Sequence, residues 1–325
     1  MRRLLLLIWG SVGLAACTFG DVGDGAPGED ETEDADESDD GAVDSTPADG
    51  TVGMDDDDDD DDDDAPFEGC PESLPDGWLF CEDFEDLGGL GEVFSSFGTA
   101  EGRFGLHEGT AANGDWSLRL QHAPPVTDGG WVGVLFDPPF DWDRGPVYPA
   151  AESMDDLYVQ VKVRTSDGWP GASIGRTFRI ASLADASWTM PFQASVDAPT
   201  GSQAVRISAY GCDNCMGVND WMNYPLLNQP PFGMQDLFGE AEEAQWRCVE
   251  FRLRLNAAGA SDSEIRMWID GEEDIVDGGF DWRGESDAGW HYVAIRNAWP
   301  GVVMPIDGEL FYDDFIIATV PIGGC

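Results

Sequence analysis

The sequence predicts an all-β domain built as an antiparallel sandwich or barrel, and three observations predict it. Apolar and polar residues alternate through 157–164, 249–255 and 264–269, the period of a strand buried on one face. Clusters of Gly, Pro, Asp and Asn, such as Asp270-Gly271 and Asp277-Gly278-Gly279, punctuate that alternation. Only 236–246 carries a helical pattern, and it is brief, so the crossover helices of a parallel sheet are missing. No internal repeat points to a propeller.

The chain opens on a targeting segment, 1–17. Met1-Arg2-Arg3 is a charged start, Leu4 to Ile8 begins an apolar run too short to span a bilayer, and Leu14-Ala15-Ala16-Cys17 closes it. This ending resembles the lipobox of bacterial lipoproteins, which implies acylation of Cys17 and a membrane anchor. Thr18 rather than Asp follows the cysteine, so the resemblance implies the outer membrane, with the domain facing the periplasm or the cell surface.

Residues 18–68 hold 24 of the 65 acidic groups and no basic one, and Asp55 to Asp64 is an unbroken run of ten aspartates. Such a stretch cannot bury enough apolar surface to fold and reads as a disordered acidic linker. Its carboxylates lie within a Debye length of one another and repel. Extended at about 3.3 Å per residue, the segment reaches roughly 170 Å. The aspartate run lacks the glycine turn that organises a calcium loop, so a solvated spacer is the reading.

The composition changes at Gly69-Cys70, where Trp78, Phe80 and Phe84 arrive close together, and 69–325 reads as one domain with a substantial core. Its strands are expected at 117–121, 131–136, 157–164, 177–181, 204–210, 249–255, 264–269, 290–296 and 310–319. With 41 acidic and 14 basic residues, the domain carries a charge of −27. Nucleic acid is excluded as a partner, because a polyphosphate needs clustered Lys and Arg. Six of the seven cysteines remain after Cys17, an even number that suits disulfides in an exported protein. Cys212-Asp213-Asn214-Cys215 reads as a local loop bridge, since neither a second such pair for zinc nor a thioredoxin-like helix accompanies it.

Three late segments carry a resemblance: 246–256, then Arg266-Met267-Trp268-Ile269-Asp270-Gly271, then Tyr312-Asp313-Asp314-Phe315 with the apolar residues after it. They look like the late strands of concanavalin A-like jelly rolls, a superfamily that includes polysaccharide lyases and laminin G-like modules. Cys81-Glu82-Asp83-Phe84-Glu85 and 109–120 resemble the opening strands of jelly-roll carbohydrate-binding modules. The fold implied is a jelly-roll β-sandwich. The function implied is glycan binding, with β-elimination from a uronate polymer by a polysaccharide lyase as the alternative.

Strand alternation places Lys162 and Arg164 on one polar face, Arg252 and Arg254 on another, and Arg206 and Arg266 on two more, with Trp268 beside Arg266. Arginines suit the carboxylates of an acidic sugar and tryptophan suits its ring, so these seven residues are the expected ligand-binding set. The alternative for the same residues is an outer sheet whose arginines pair with Glu250, Glu264 or Asp270. A lyase needs a base and a group that neutralises the uronate carboxylate. Lyases resembling this fold use Tyr or His with Gln, Asn or Arg, which makes His107, His291, Tyr210 and Gln193 the catalytic candidates, with His122 and Tyr158 behind them. A glycosidase reading fails, since Glu285-Ser286-Asp287 lacks the second Glu of the jelly-roll hydrolase motif.

The same resemblance implies first and last strands lying side by side, with carboxylates at both ends sharing a structural Ca²⁺. Asp83, Glu85, Asp313 and Asp314 are the implied ligands. It also implies a disulfide between Cys70 and Cys325.

Overall fold

The computed structural model describes residues 69–85, 88–122, 128–150, 154–169, 175–198, 202–211, 225–239, 244–298 and 307–325. Cys17 and the linker 18–68 lie outside these residues, as do Cys212 and Cys215.

Fourteen strands follow one another among the described residues: β1 (Trp78–Glu82), β2 (Ser96–Gly98), β3 (Phe104–Glu108), β4 (Trp116–His122), β5 (Asp128–Leu135), β6 (Asp156–Thr165), β7 (Gly175–Ala181), β8 (Phe192–Ala198), β9 (Arg206–Gly211), β10 (Arg247–Arg254), β11 (Glu264–Ile269), β12 (Glu272–Gly278), β13 (Tyr292–Ala298) and β14 (Gly308–Ala318). They form an eight-stranded sheet, β12-β11-β10-β6-β14-β4-β3 with β1 also on β14, and a six-stranded sheet, β2-β5-β13-β7-β8-β9. The paired strands are antiparallel, and the chain repeatedly crosses from one sheet to the other. This is the jelly-roll sandwich expected from the sequence.

The alternation sets the layers. Leu157, Val159, Val161 and Val163 of β6 face Val293 and Ile295 of β13 and Phe178 and Ile180 of β7 within one core. Phe178 links the sheets, its ring 5.5 Å from Phe251 on β10 and 6.2 Å from Tyr312 on β14. Burying each such side chain contributes about 1.5–3 kcal/mol. In β14 the inward period breaks at Asp313 and Asp314: Leu310 and Tyr312 point in, then Phe315 and Ile317. The register against β6 shifts by one residue there, a bulge that inserts an extra residue and restores the inward set.

Three expectations change. The helix at 236–246 is absent from its described part, where Gly239 N–H bonds to Asp236 in a turn and Leu237 and Phe238 are buried side by side. Two adjacent buried residues do not form the single apolar stripe of an amphipathic helix. Five strands lie outside the nine expected spans: β1, β2, β3, β8, whose Ala and Ser residues are buried, and β12, which carries acids at most positions.

The disulfide expectation is corrected as well. β1 does lie antiparallel on β14, Trp78 opposite Ala318. The bridges, however, are Cys70–Cys81 and Cys248–Cys325. Residues 319–325 leave β14 and cross β6 to reach β10: Ile322 N–H donates to Glu250, and Gln160 Nε2 donates to the Gly323 carbonyl at 2.8 Å. Gly323 and Gly324, at φ 68° and 77°, make the sharp turn that delivers Cys325 to Cys248, so it never approaches Cys70.

Candidate functional site

The outer face of the six-stranded sheet is built by residues that alternate with its core set. Trp131 on β5 and Arg296 on β13 stand opposite each other, as do Gly133 and Ala294 one pleat along, then Leu135 and Tyr292. Two glycines shape this surface. A Cβ on Gly98 would collide with the Trp131 ring, and one on Gly133 with the Tyr292 ring and hydroxyl. Both aromatic rings therefore lie flat across the neighbouring strand.

Beside them is a pocket of about 370 Å³. Trp131, Trp142, Trp188 and Tyr292 supply its aromatic wall, and Arg144, Arg179 and Arg296 its charge, with Ser95, Ser96 and Phe97 at one side. The aromatic groups brace one another: Trp188 stands edge-on to Trp142 at 5.7 Å and to Tyr292 at 4.8 Å. Trp142 Nε1 donates to the Ser95 carbonyl at 3.2 Å, fixing its ring. Arg144 lies over Trp142 and Arg296 over Trp131, at 5.2 and 5.8 Å from the ring centres. Among the described residues, no carboxylate lines the pocket. Tyr292 shares a hydrogen bond of 3.1 Å with Ser96 Oγ, and burial pushes its hydroxyl's pKa up, so the phenol stays protonated.

A polar line continues from Arg179 along the sheet. Ser195 is its partner on β8 and Ser208 the next on β9, while Gln193 pairs in register with Ala181 and Tyr210. Gln193 and Ser195 are buried, and among the described residues neither the Gln193 amide nor the Ser195 hydroxyl has a hydrogen-bond partner. Unsatisfied polar groups in a row are costly in a folded protein and call for an explanation.

The expected ligand-binding residues divide between the sheets. Arg206 is on β9, paired with Asp197 at 3.0 Å and lying over Phe232. The others are on the eight-stranded sheet, and acids meet their charges. Arg252 makes a bidentate pair with Asp156 at 2.8 and 2.6 Å. Arg254 and Arg266 both bond Glu264, Arg266 also reaches Glu273 at 3.0 Å, and Arg164 meets Asp167 at 3.4 Å. Lys162 lies against Asp314 at 2.7 Å. Trp268 sits opposite Glu250 and Glu273. This is a paired outer sheet, as in the alternative offered by the sequence, but of the three acids named there only Glu264 meets these arginines, while Asp270 pairs with Arg247.

The histidine candidates separate too. His107 packs on Phe311 at the edge of the eight-stranded sheet, its pKa lowered by burial and by Arg119. His122 is buried against Trp169, and desolvation lowers its pKa to about 3. His291 adjoins Tyr292, and its Nδ1 accepts the Leu183 N–H at 3.1 Å. Burial lowers its pKa, so it is neutral with its proton on Nε2, a donor rather than a base. Gln193 and Tyr210 are the catalytic candidates that the structure brings together.

The four acids of the expected calcium site gather near the two chain ends, but protein donors hold them. Asp313 accepts backbone N–H bonds from Ala112 at 2.7 Å and Asp314 at 2.9 Å. Asp314 Oδ2 takes Lys162 and the Asn113 amide, both at 2.7 Å. Asp83 accepts from the Cys70 N–H, and Glu85 from those of Asp115 and Trp116. Among the described residues no group of three or more His, Cys, Asp or Glu is arranged to hold a metal ion.

Sequence reasoning missed the pocket itself. Arg179, between Phe178 and Ile180, and Arg296, after Ile295, carried the alternation signal. Trp142, Arg144 and Trp188 come from loops, and only the fold reveals where they converge.

No protein-family model matches the chain, and no curated protein matches its sequence. Among solved structures it is similar to alginate lyase vAL-1 from Chlorella virus, at 11% identity and TM-score 0.49 over 71% of this chain and 93% of that one. It is also similar to the PL-14 alginate lyase from Aplysia kurodai, at 11% identity and TM-score 0.48 over 70% and 92%. A third is the endo-β-1,4-glucuronan lyase from Trichoderma reesei, at 12% identity and TM-score 0.48 over 74% and 95%.

Proposed function

We propose that this domain binds an acidic polysaccharide, its carboxylated sugar rings entering the pocket on the six-stranded sheet. One observation carries the reading: Arg144, Arg179 and Arg296 converge with three tryptophans where, among the described residues, no acid lines the wall, in a domain whose net charge is −27. A guanidinium matches a carboxylate in shape and charge, and an indole offers a flat apolar surface to a sugar ring. The pocket volume falls in the ordinary range for ligand sites, roughly 300–1,000 Å³. A panel of polyuronates and neutral polymers tests the reading. Polyuronates should bind, more weakly as salt rises, because exposed charge pairs are screened. Equal binding of neutral and acidic polymers would overturn it.

A second reading, β-elimination from the bound uronate, is favoured by Gln193. Its buried, unpartnered amide lies in register with Tyr210 and beside Arg179's strand. In that reading Arg179 and Gln193 would neutralise the uronate carboxylate, and Tyr210 would take the proton at the adjacent carbon and pass it to the glycosidic oxygen as that C–O bond breaks and the carbon–carbon double bond forms. Absorbance of the unsaturated product distinguishes a lyase from a binder. The lipobox-like Leu14-Ala15-Ala16-Cys17 supports display of the domain from the outer membrane through lipidated Cys17. Cys17→Ser should release the protein or leave its leader uncleaved, and unchanged membrane fractionation and mass would remove that part of the proposal.

A further inference from the structure

The opposite face of the sandwich holds a second cavity, of about 310 Å³, between the eight-stranded sheet and residues 319–325. Its floor is Tyr158 on β6, Glu250 and Arg252 on β10, and Arg266 and Trp268 on β11. Its far wall is Pro321, Gly323, Gly324 and Cys325, and the Cys248–Cys325 bridge fastens that wall to β10. The cavity is thus made by a crossing segment that a covalent bond keeps in place.

Charge decides what it suits. Arg252 is committed to Asp156, and Arg266 to Glu264 and Glu273, so neither guanidinium is left to meet an anion. Glu250, which accepts from Gln160 and Ile322, adds a negative charge to the lining. A carboxylated ligand would be repelled or would have to displace an existing partner. An uncharged, hydroxyl-rich ligand meets no such penalty. Its hydroxyls donate to carboxylates and accept from guanidinium N–H groups, and the half-buried Trp268 ring offers apolar surface to the C–H face of a pyranose, while Tyr158 is covered by Arg252.

We propose that this cavity is a second ligand site, for an uncharged saccharide unit, and that it is complete only when the Cys248–Cys325 disulfide is closed. The domain then presents an acidic-glycan pocket on one sheet and a neutral-sugar pocket on the other. The second site stands independently of the first.

Titration of the folded protein with cello-, manno-, xylo- and galacto-tetrasaccharides, followed by tryptophan fluorescence and calorimetry, tests it. At least one should bind. Trp268→Ala should weaken that binding at least tenfold, and Cys248→Ser/Cys325→Ser should do the same while unfolding remains cooperative. Arg144→Ala/Arg296→Ala should leave it within twofold, which separates this site from the polyuronate pocket. Failure of all four sugars to bind the wild-type protein, or unchanged affinity in Trp268→Ala, would overturn the proposal. Unchanged affinity in the cysteine variant would overturn its dependence on the bridge. Should the cysteine variant not fold, mild reduction of the wild-type protein, with the open bridge identified by peptide mapping, gives the same comparison.

Discussion

Lys162 Nζ lies 2.7 Å from Asp314 Oδ2, although the residue opposite Lys162 in the β6–β14 register is Asp313. The bulge makes this possible by putting two consecutive aspartates on the strand, both buried. One is capped by backbone N–H groups and the other by the ammonium. Replacing Lys162 with Met should leave Asp314 without its cation and cost about 3–5 kcal/mol, read as a fall in the urea midpoint. Because Lys162 already supplies the positive charge, calcium and a chelator should give equal thermal midpoints in metal-free wild-type protein. A wild-type midpoint raised by calcium would show an ion site alongside the lysine, and an unchanged urea midpoint in Lys162→Met would refute the lysine's role.

The same bulge sets a pH dependence. Burial raises Asp313 to about 7, above the value of an exposed aspartate, so the folded state holds its proton more tightly than the unfolded state. Between pH 4 and pH 7 the folded protein therefore binds more protons at this residue, and its stability contribution is lost as pH rises through that window. Buried His122 and His291, whose pKa values are lowered, act in the opposite sense over the same window, so the Asp313 contribution is read as a difference: from pH 7 to pH 5 the wild-type midpoint should rise more, or fall less, than that of Asp313→Asn. Identical slopes in the two proteins would contradict the assignment.

Cys248 and Cys325 close a span of 77 residues. Removing the bridge with Cys248→Ser/Cys325→Ser should cost about 2–4 kcal/mol. Peptide mapping of the unreduced protein should recover Cys70 joined to Cys81 and Cys248 joined to Cys325. A Cys70–Cys325 peptide would contradict the path of residues 319–325.

How much of this was legible in the sequence follows from what each signal measures. Alternation reports one face in and one face out, so β6, β10 and β11 were readable from Leu157, Val249 and Glu264 onward. β8 alternates too, but with Ala and Ser, and β12 has acids at most positions, so composition hid both. Alternation also marked Arg252, Arg254 and Arg266 as outward-facing. Of the acids that meet them only Glu264 was named in advance; Asp156 and Glu273 were not, because their approach depends on strand neighbours. The pocket was least legible, since Trp142, Arg144 and Trp188 are loop residues with no periodic signal. Pairing of the first and last strands was readable through resemblance, whereas the departure of residues 319–325 across β6 was not.

Gly133 is where a small change should act directly on the pocket. A methyl group there would collide with Tyr292. Gly133→Ala should displace that ring, destabilise the domain by about 1–3 kcal/mol, and weaken polyuronate binding. Unaltered binding in a folded variant would show that Tyr292 does not shape the site.

The most direct test compares two variants for polyuronate affinity by calorimetry at fixed salt: Arg144→Ala/Arg296→Ala in the pocket, and Arg252→Ala/Arg254→Ala/Arg266→Ala on the opposite sheet. A binding site on the six-stranded sheet predicts at least tenfold loss, about 1.4 kcal/mol, in the first and affinity within twofold of wild type in the second. Loss in the second with retention in the first would place the glycan on the wrong side of the sandwich and contradict the proposal.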